Sequence, residues 1–359
     1  MTGPRVRASL AEVPTYVPGR RPQAVDRTTY KLASNETPQE PLPSVRAAID
    51  AEAGRANRYP DMACTELYAA LAARWQVAPE QLMVGTGSVA VLYHLVQALC
   101  EPGDEIVHAW RSFEAYPIAA AASGARSVPV PLGPGARHDV DAMADAVTER
   151  TRVVLVCTPN NPTGPAVSAA ELAALCDRVP DDVLVVVDEA YAEFVRDDAA
   201  ADGLAAFAER DNVAVLRTFS KAYGLAGLRV GYALAPATVA TAVRTVALPF
   251  GVSGVAQAAA VASLRPEAER ELMARVDAVV SERRRVSDAL AHLGWEVPHS
   301  EANFVWLPLP DDGAAAEFAT AAEAAGVSVR PFAGAGVRVT VAEPAAGDVF
   351  LRVAADWLG

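Results

Sequence analysis

The sequence predicts an α/β protein: a mainly parallel sheet with helices on both faces, followed by a smaller α+β lobe. Three observations predict it. From about residue 80 to 235, Val/Leu-rich runs of strand length alternate with helical segments, the pattern of strands buried on both faces and joined by crossover helices. Polar residues collect just after those runs, where open α/β sheets bind ligands. After "ALPFGVSG" (247–254) the text changes to charge-rich helices and short strands.

Taken in order, "QLMVG" (81–85) leads into the helix "SVAVLYHLVQAL" (88–99), and "EIVHAW" (105–110) into "FEAYPIAAAAS" (113–123). "RSVPV" (126–130) precedes "DVDAMADAVTE" (139–149), and "RVVLVCT" (152–158) precedes "SAAELAALCDRV" (168–179). "VLVVVDEAY" (183–191) is followed by a helix around "LAAFAER" (204–210), and "NVAVLRTFS" (212–220) and "RVGYALA" (229–235) close the series. One or two long helices are expected from roughly 256 to 293. Short strands in "NFVWLPL", "GVSVRPF" and "GVRVTVA" then interleave with two amphipathic helices. The first 30 residues, with three prolines before residue 20, show no clear period and read as an arm lying on another part of the protein. The expected organisation is an arm (1–30) packing with the small lobe, a large domain (31–250) and a small domain (251–359).

A chain of 359 residues, 52% hydrophobic and 21% charged, has the composition of a folded protein long enough for two domains. Its net charge of −13 argues against a nucleic-acid or anionic-membrane surface. No apolar run reaches bilayer length, and the N-terminus lacks the apolar core of a secretory signal. Cys64, Cys100, Cys157 and Cys176 have no metal-ligand spacing and read as reduced, mostly buried thiols of a cytoplasmic protein. The five histidines contain no HxxxH pair, which leaves no zinc motif.

Candidate chemistry sits at the strand ends. In "VGTGSVAVLYHL" (84–95), glycines 85 and 87 precede a helix starting at Ser88. Unpaired N–H groups and the helix dipole there favour an anion such as phosphate; an ordinary glycine turn is the competing reading. The same letters read as GxGxxA, but the acid a dinucleotide site needs at the end of the next strand is missing, since "EIVHAW" ends in Ala109 and Trp110. "VCTPNNPTG" (156–164) can project a side-chain amide, Asn160 or Asn161, from a rigid turn. "VLVVVDEAYAEF" drives Asp188 and Glu189 out at the end of an apolar run, with Tyr191 close by. Such an acid is a solvated cap, a metal ligand or the partner of a protonated ring nitrogen. In "TFSKAYGLAGLRVG" (218–231), Lys221 stands alone among small residues and Arg229 follows eight positions later. A partly desolvated lysine becomes a neutral nucleophile that forms Schiff bases, and a guanidinium grips phosphate at two oxygens. Anion cradle, amide, acid with phenol, lysine and arginine together fit a phosphorylated aldehyde carrying a pyridine ring, pyridoxal 5′-phosphate (PLP).

The chain resembles the fold-type I, class I/II PLP-dependent aminotransferases, within the histidinol-phosphate aminotransferase branch. "NRYPD", "GTGS", "NNPTG", "DEAY", "SKAYGLAGLRVGY", "SEANFV" and "GVRVT" occur in the family's order, from about residue 31 to 342. The resemblance implies a seven-stranded, mainly parallel sheet and a homodimer with shared active sites. It implies that Lys221 carries the internal aldimine and shuttles the α-proton, and that Asp188 keeps the pyridine nitrogen protonated. Tyr191 and Asn161 are implied to bond the ring hydroxyl and lower the aldimine pKa, with Phe113 stacked on the ring. Ser88, the Val89 backbone, Ser220 and Arg229 are implied to form the phosphate cup, with Thr218 nearby and Tyr59 reaching in from the neighbouring subunit. Arg338 is implied to bind the substrate α-carboxylate, with Asn35 lining the same pocket.

Histidinol-phosphate members typically place an Asn or Asp after the glycine turn and a Tyr in a "PY" segment; here those positions are Val89 and Phe250. Neither can hydrogen-bond a phosphate. "AWRSFEAYPI" and "TYVPGR" look like the actinobacterial aromatic (phenylalanine) aminotransferases of this branch, with Tyr16, Trp110, Tyr116 and Phe250 walling an aromatic pocket. Core packing is the competing reading for Trp110 and Phe250. Arg330 is a spare cation for a phosphate or a distal carboxylate. The expected activity is ping-pong transamination of an aromatic L-amino acid with 2-oxoglutarate. The alternative is histidinol-phosphate transamination, followed by a PLP decarboxylase or lyase, a nicotinamide-dependent oxidoreductase, and a non-catalytic regulator.

Overall fold

The computed structural model describes residues 28–358 and, before them, residues 3, 4, 6, 7, 10, 13, 15, 16 and 19; most of the expected arm lies outside the described residues. The chain enters through β1 (Tyr30–Lys31), α1 (Pro43–Ala53) and α2 (Thr65–Trp75). The large domain continues with β2 (Leu82–Gly85), α3 (Ser88–Leu99), β3 (Glu105–Trp110), α4 (Ala115–Ser123), β4 (Arg126–Pro131) and α5 (Val140–Asp145). Next come β5 (Thr151–Cys157), α6 (Ala169–Arg178), β6 (Leu184–Asp188), α7 (Gly203–Glu209), β7 (Val213–Thr218) and β8 (Gly231–Leu234). Helices α8 (Ala237–Val246), α9 (Gly254–Ser263) and α10 (Pro266–His292) lead to β9 (Phe304–Pro308), α11 (Ala314–Ala324), β10 (Val327–Ser328), β11 (Arg330–Phe332), β12 (Gly336–Thr340) and α12 (Pro344–Leu358).

Seven strands form the main sheet in the order β2-β8-β7-β6-β5-β3-β4. The pairs among β7, β6, β5, β3 and β4 are parallel, and only β8 runs against its two neighbours. Period-two alternation explains the burial of both faces. Ile106, Val153, Leu155, Leu184 and Val186 face a core shared with α3, α4 and α8. Val107, Val154, Val156, Val185 and Val187 face the opposite core with α5 and α6. Each fully buried Val or Leu contributes about 1.5–3 kcal/mol, so a one-residue slip of β6 would be very costly. That rigidity fixes Asp188 at the carboxyl end of β6. The β7-to-β8 connection returns antiparallel without a crossover helix, and this returning loop carries Lys221 and Arg229.

The small lobe holds an antiparallel sheet ordered β11-β12-β9 and a parallel β1–β10 pair, covered by α10, α11 and α12 residues such as Leu290, Phe318 and Phe350. Two packing details join the ends of the large domain to its neighbours. β1 belongs to the small lobe through its pairing with Val327 and Ser328. The apolar helix α9 and Ala268, Leu272 and Val276 of α10 share one core with Leu67 and Leu71 of α2, and Pro266 takes the first helical turn of α10.

Candidate active site

A cavity of about 320 Å³ lies between the carboxyl ends of the large-domain strands and the strands β11 and β12. Lys221, Asp188, Tyr191, Asn161, Ser88, Val89, Phe113, Thr218, Ser220, Arg229, Arg330, Arg338 and Tyr16 all line it. A larger groove of about 1230 Å³ runs along α10. Its arginines are already matched by acids, Arg74 with Glu269, Arg196 with Asp277, Arg217 with Glu189 and Arg270 with Glu267. The smaller cavity is the one with unspent chemistry.

Lys221 follows β7, and its Nζ donates to the Ser34 carbonyl at 3.2 Å. Burial pushes its pKa down to about 7, helped by Arg338, Arg229 and Lys31 and opposed by Glu36. Near neutral pH a large share of this amine is therefore an unprotonated nucleophile. Asp188 is 4% exposed. Its Oδ2 accepts from the Tyr116 hydroxyl at 2.8 Å, while Oδ1 has no partner among the described residues. Burial raises its pKa to about 6, against the hydrogen bonds from Tyr116 and the Ala190 N–H. The neighbouring Glu189 points to the opposite face, where it pairs with Arg217 at 2.7 Å and accepts from the Gly203 N–H. Adjacent residues at a strand end thus take separate tasks.

The Tyr191 hydroxyl accepts from Asn35 Nδ2 at 2.9 Å, and Asn35 Oδ1 accepts from Thr340 Oγ1 at 3.0 Å. Burial pushes the Tyr191 phenol up, opposed by Arg338 and Asn35. Arg338 donates to Asn161 Oδ1 at 2.5 Å and to the Ala33 carbonyl at 2.8 Å, leaving Nε without a partner among the described residues. Asn160 is absorbed into the loop itself, bonding Ser112, Thr163 and the Arg111 carbonyl.

At the start of α3 the backbone forms a cradle. Gly87 caps the helix at φ 83°, and a Cβ there would sit 2.5 Å from Arg229 Nη2. A Cβ on Gly231 would lie 2.3 Å from the Ser88 N. Arg229 Nη1 reaches Ser220 Oγ at 3.3 Å and the Ala226 carbonyl at 3.0 Å; among the described residues no carboxylate pairs with it. Thr218 Oγ1 accepts from the Ser220 N–H at 3.1 Å.

Several expected residues lie elsewhere. Tyr116 does not wall the cavity: it is fully buried beneath it, one turn into α4 from Phe113, edge-on to that ring at 5.6 Å. Trp110 ends β3, a strand separated from β6 by β5. Its ring meets His108 and the Arg111 guanidinium beside a separate groove. Phe250 stacks on Tyr59 at 4.6 Å with both rings exposed, outside the cavity of the single chain. Arg330 is not spare, because its Nη2 holds Glu114 Oε2 at 2.8 Å. Tyr16 is half-exposed at the rim. The sequence expectations omitted Ser34, Glu114, Thr340 and Phe332. Phe332 is two positions past Arg330 on β11, so strand alternation gives both side chains the same face; both border the cavity.

These atoms fit the group expected from the sequence. An unpartnered carboxylate oxygen accepts a protonated ring nitrogen. A backbone cradle with an acid-free guanidinium accepts a phosphate, and a lysine with a substantial neutral fraction meets an aldehyde.

Comparison with known proteins agrees. The family model "Aminotransferase class I and II" matches residues 27–353. The "Aromatic amino acid aminotransferase" of Streptomyces coelicolor is 59% identical over 356 residues, covering 99% of this chain and 98% of that protein. Its namesake in Thermobifida fusca is 54% identical, covering 98% and 96%. The crystal structure of histidinol-phosphate aminotransferase from Sinorhizobium meliloti in complex with pyridoxal-5′-phosphate superposes with a TM-score of 0.82 at 29% identity, over 92% of each chain. Aspartate aminotransferase from Thermus thermophilus with maleate gives 0.81 at 26%, again over 92% of each. With the parallel sheet and the lysine-centred cavity in place, the chain belongs to the class I and II aminotransferases.

Proposed function

We propose that the protein transaminates aromatic L-amino acids with 2-oxoglutarate, using PLP held by Lys221. Bound in the cavity, PLP supplies an aldehyde that links covalently to amines and a ring that withdraws electrons from the substrate α-carbon. Asp188 would hold the ring nitrogen with its free oxygen, and Ser88, the Val89 N–H, Ser220 and Arg229 would hold the phosphate, with Thr218 supporting Ser220. Tyr191 and Asn161 would hold the ring hydroxyl, and Phe113 would pack against the ring. The Lys221 amine, when neutral, would be the base that accepts and returns the substrate α-proton. Arg338, with its unused Nε–H, would bind the α-carboxylate beside Asn35.

The observation that carries the aromatic reading is the apolar part of the cavity lining. Val89, Phe113 and Phe332 supply it, and the Val89 side chain has no group to donate to a substrate phosphate. The names of the S. coelicolor and T. fusca relatives support the same substrate class. The test is a donor panel of phenylalanine, tyrosine, tryptophan and histidinol phosphate with 2-oxoglutarate. The reading requires an aromatic donor to give the highest kcat/KM; histidinol phosphate in that place overturns it.

The assembly proposed is a homodimer. The exposed cluster of Tyr59, Met62, Leu248 and Phe250 supports it, being an apolar surface suited to a second copy and able to bring Tyr59 of one subunit to the phosphate site of the other. The four buried, unpaired cysteines support a cytoplasmic setting. The pairing of β1 with β10 supports an N-terminal arm that packs with the small lobe.

A further inference from the structure

Two buried arginines from adjacent strands enter the cavity side by side, Arg330 of β11 directly opposite Arg338 of β12. Their partners differ in kind. Among the described residues Arg338 bonds only a neutral amide and a carbonyl and keeps one N–H free. Arg330 is held by a carboxylate from the chain itself, Glu114, at 2.8 Å. Both members of that pair border the cavity, and Phe332 lies under both guanidiniums at 5.4 and 5.8 Å.

The proposed reaction makes conflicting demands on this wall. In one half-reaction the cavity receives an apolar ring; in the other it receives a side chain ending in a carboxylate. A bare buried guanidinium facing an apolar ring would be left without its counter-charge at high cost. A wall with no cation would leave the carboxylate unpaired.

We propose that Glu114 is an internal, displaceable counter-ion that lets one pocket accept both side chains. With an aromatic substrate, Glu114 stays on Arg330 and the wall is neutral. With a dicarboxylate, the distal carboxylate replaces Glu114 on Arg330 and Glu114 turns to solvent. The geometry allows the exchange: the Glu114 side chain is 30% exposed while that of Arg330 is 9% exposed, so the acid rehydrates at little cost and the cation stays in place. Glu114 stands at the N-cap of α4 without capping it, so its departure breaks no helix-end hydrogen bond. The inference rests on the aromatic/2-oxoglutarate reading but concerns a residue which that reading does not use.

The test is calorimetric titration of the purified holoenzyme and its Glu114→Gln variant with two unreactive acids, glutarate and 3-phenylpropanoate. Removing the internal competitor is expected to tighten glutarate about three- to tenfold and to weaken 3-phenylpropanoate. In the Glu114→Gln/Arg330→Gln double variant the glutarate gain is expected to vanish, as a double-mutant cycle requires for a pairwise effect. The KM for 2-oxoglutarate is expected to fall in Glu114→Gln while the KM for phenylalanine rises. Glutarate affinity unchanged within about twofold, or a gain that survives loss of Arg330, overturns the counter-ion role. Wild-type enzyme that transaminates no aromatic donor overturns the substrate reading instead, so the two failures are distinguishable.

Discussion

Lys221 carries a cost that its replacement should reveal. In the cofactor-free protein the amine is buried against Arg338 and Arg229, which holds its pKa at about 7 against an ordinary 10.5. That gap corresponds to ~5 kcal/mol of disfavoured charge, at ~1.4 kcal/mol per pH unit. Lys221→Met keeps the stem and removes the ammonium. Loss of the bond to the Ser34 carbonyl and screening by water in the cavity reduce the net gain to ~2–4 kcal/mol near neutral pH. The pH dependence fixes the sign. Below about 7 the lysine is protonated in both states and the folded state bears the full cost. Between about 7 and 10.5 the unfolded chain binds more protons, so wild-type stability rises with pH. Above 10.5 the cost is gone. Urea unfolding of cofactor-stripped wild type and Lys221→Met at neutral and alkaline pH is the assay. The variant should be the more stable near neutrality and lose its lead by about pH 10, while being inactive in transamination. A variant no more stable than wild type at neutral pH, or one whose advantage persists undiminished at alkaline pH, refutes the reasoning.

Other perturbations follow from the same geometry. Tyr116→Phe removes a charge-assisted hydrogen bond worth ~1.5–3 kcal/mol. The Asp188 pKa should then climb ~1–2 pH units above its present value of about 6. An NMR titration of the Asp188 carboxyl in the cofactor-free protein should show the midpoint at higher pH in the variant, and an unmoved midpoint contradicts the role. Gly87→Ala places a Cβ 2.5 Å from Arg229 Nη2 on a backbone at φ 83°. Displacing that guanidinium should weaken PLP binding at least about tenfold in a cofactor titration; an unchanged Kd would rule out this cradle as the phosphate site. If Tyr59 serves the neighbouring subunit, mixing inactive Lys221→Ala with impaired Tyr59→Ala should restore about a quarter of wild-type activity through hybrid dimers with one intact site. No recovery argues for sites complete within one chain.

Much of the site was legible because it follows from strand ends. The apolar runs before Asp188, Asn161 and Thr218 could only be central strands, so their next polar residues had to converge at one sheet edge. Lys221 and Arg229 followed from the small-residue loop between two such runs. The aromatic wall was misread where a linear text cannot give direction. Tyr116 is one helical turn beyond Phe113, yet the helix aims it beneath the sheet, where it becomes the partner of Asp188. Trp110 ends the strand that leads to Phe113, yet its ring turns onto His108 and Arg111 beside another groove. The Arg330–Glu114 pair joins residues more than two hundred positions apart, and neither one alone suggests the other. The β1–β10 pairing was illegible for a similar reason: two residues of β1 carry too little pattern to reveal a parallel partner nearly three hundred positions away.

The central claim is that the amine of Lys221 holds PLP covalently. Reducing the purified enzyme with borohydride, digesting it and mapping the modified peptide by mass spectrometry tests this most directly. A reduced pyridoxyl phosphate adduct on Lys221, with loss of the yellow chromophore, is the predicted result; an adduct on any other residue, or none on an enzyme that still transaminates, would contradict the account.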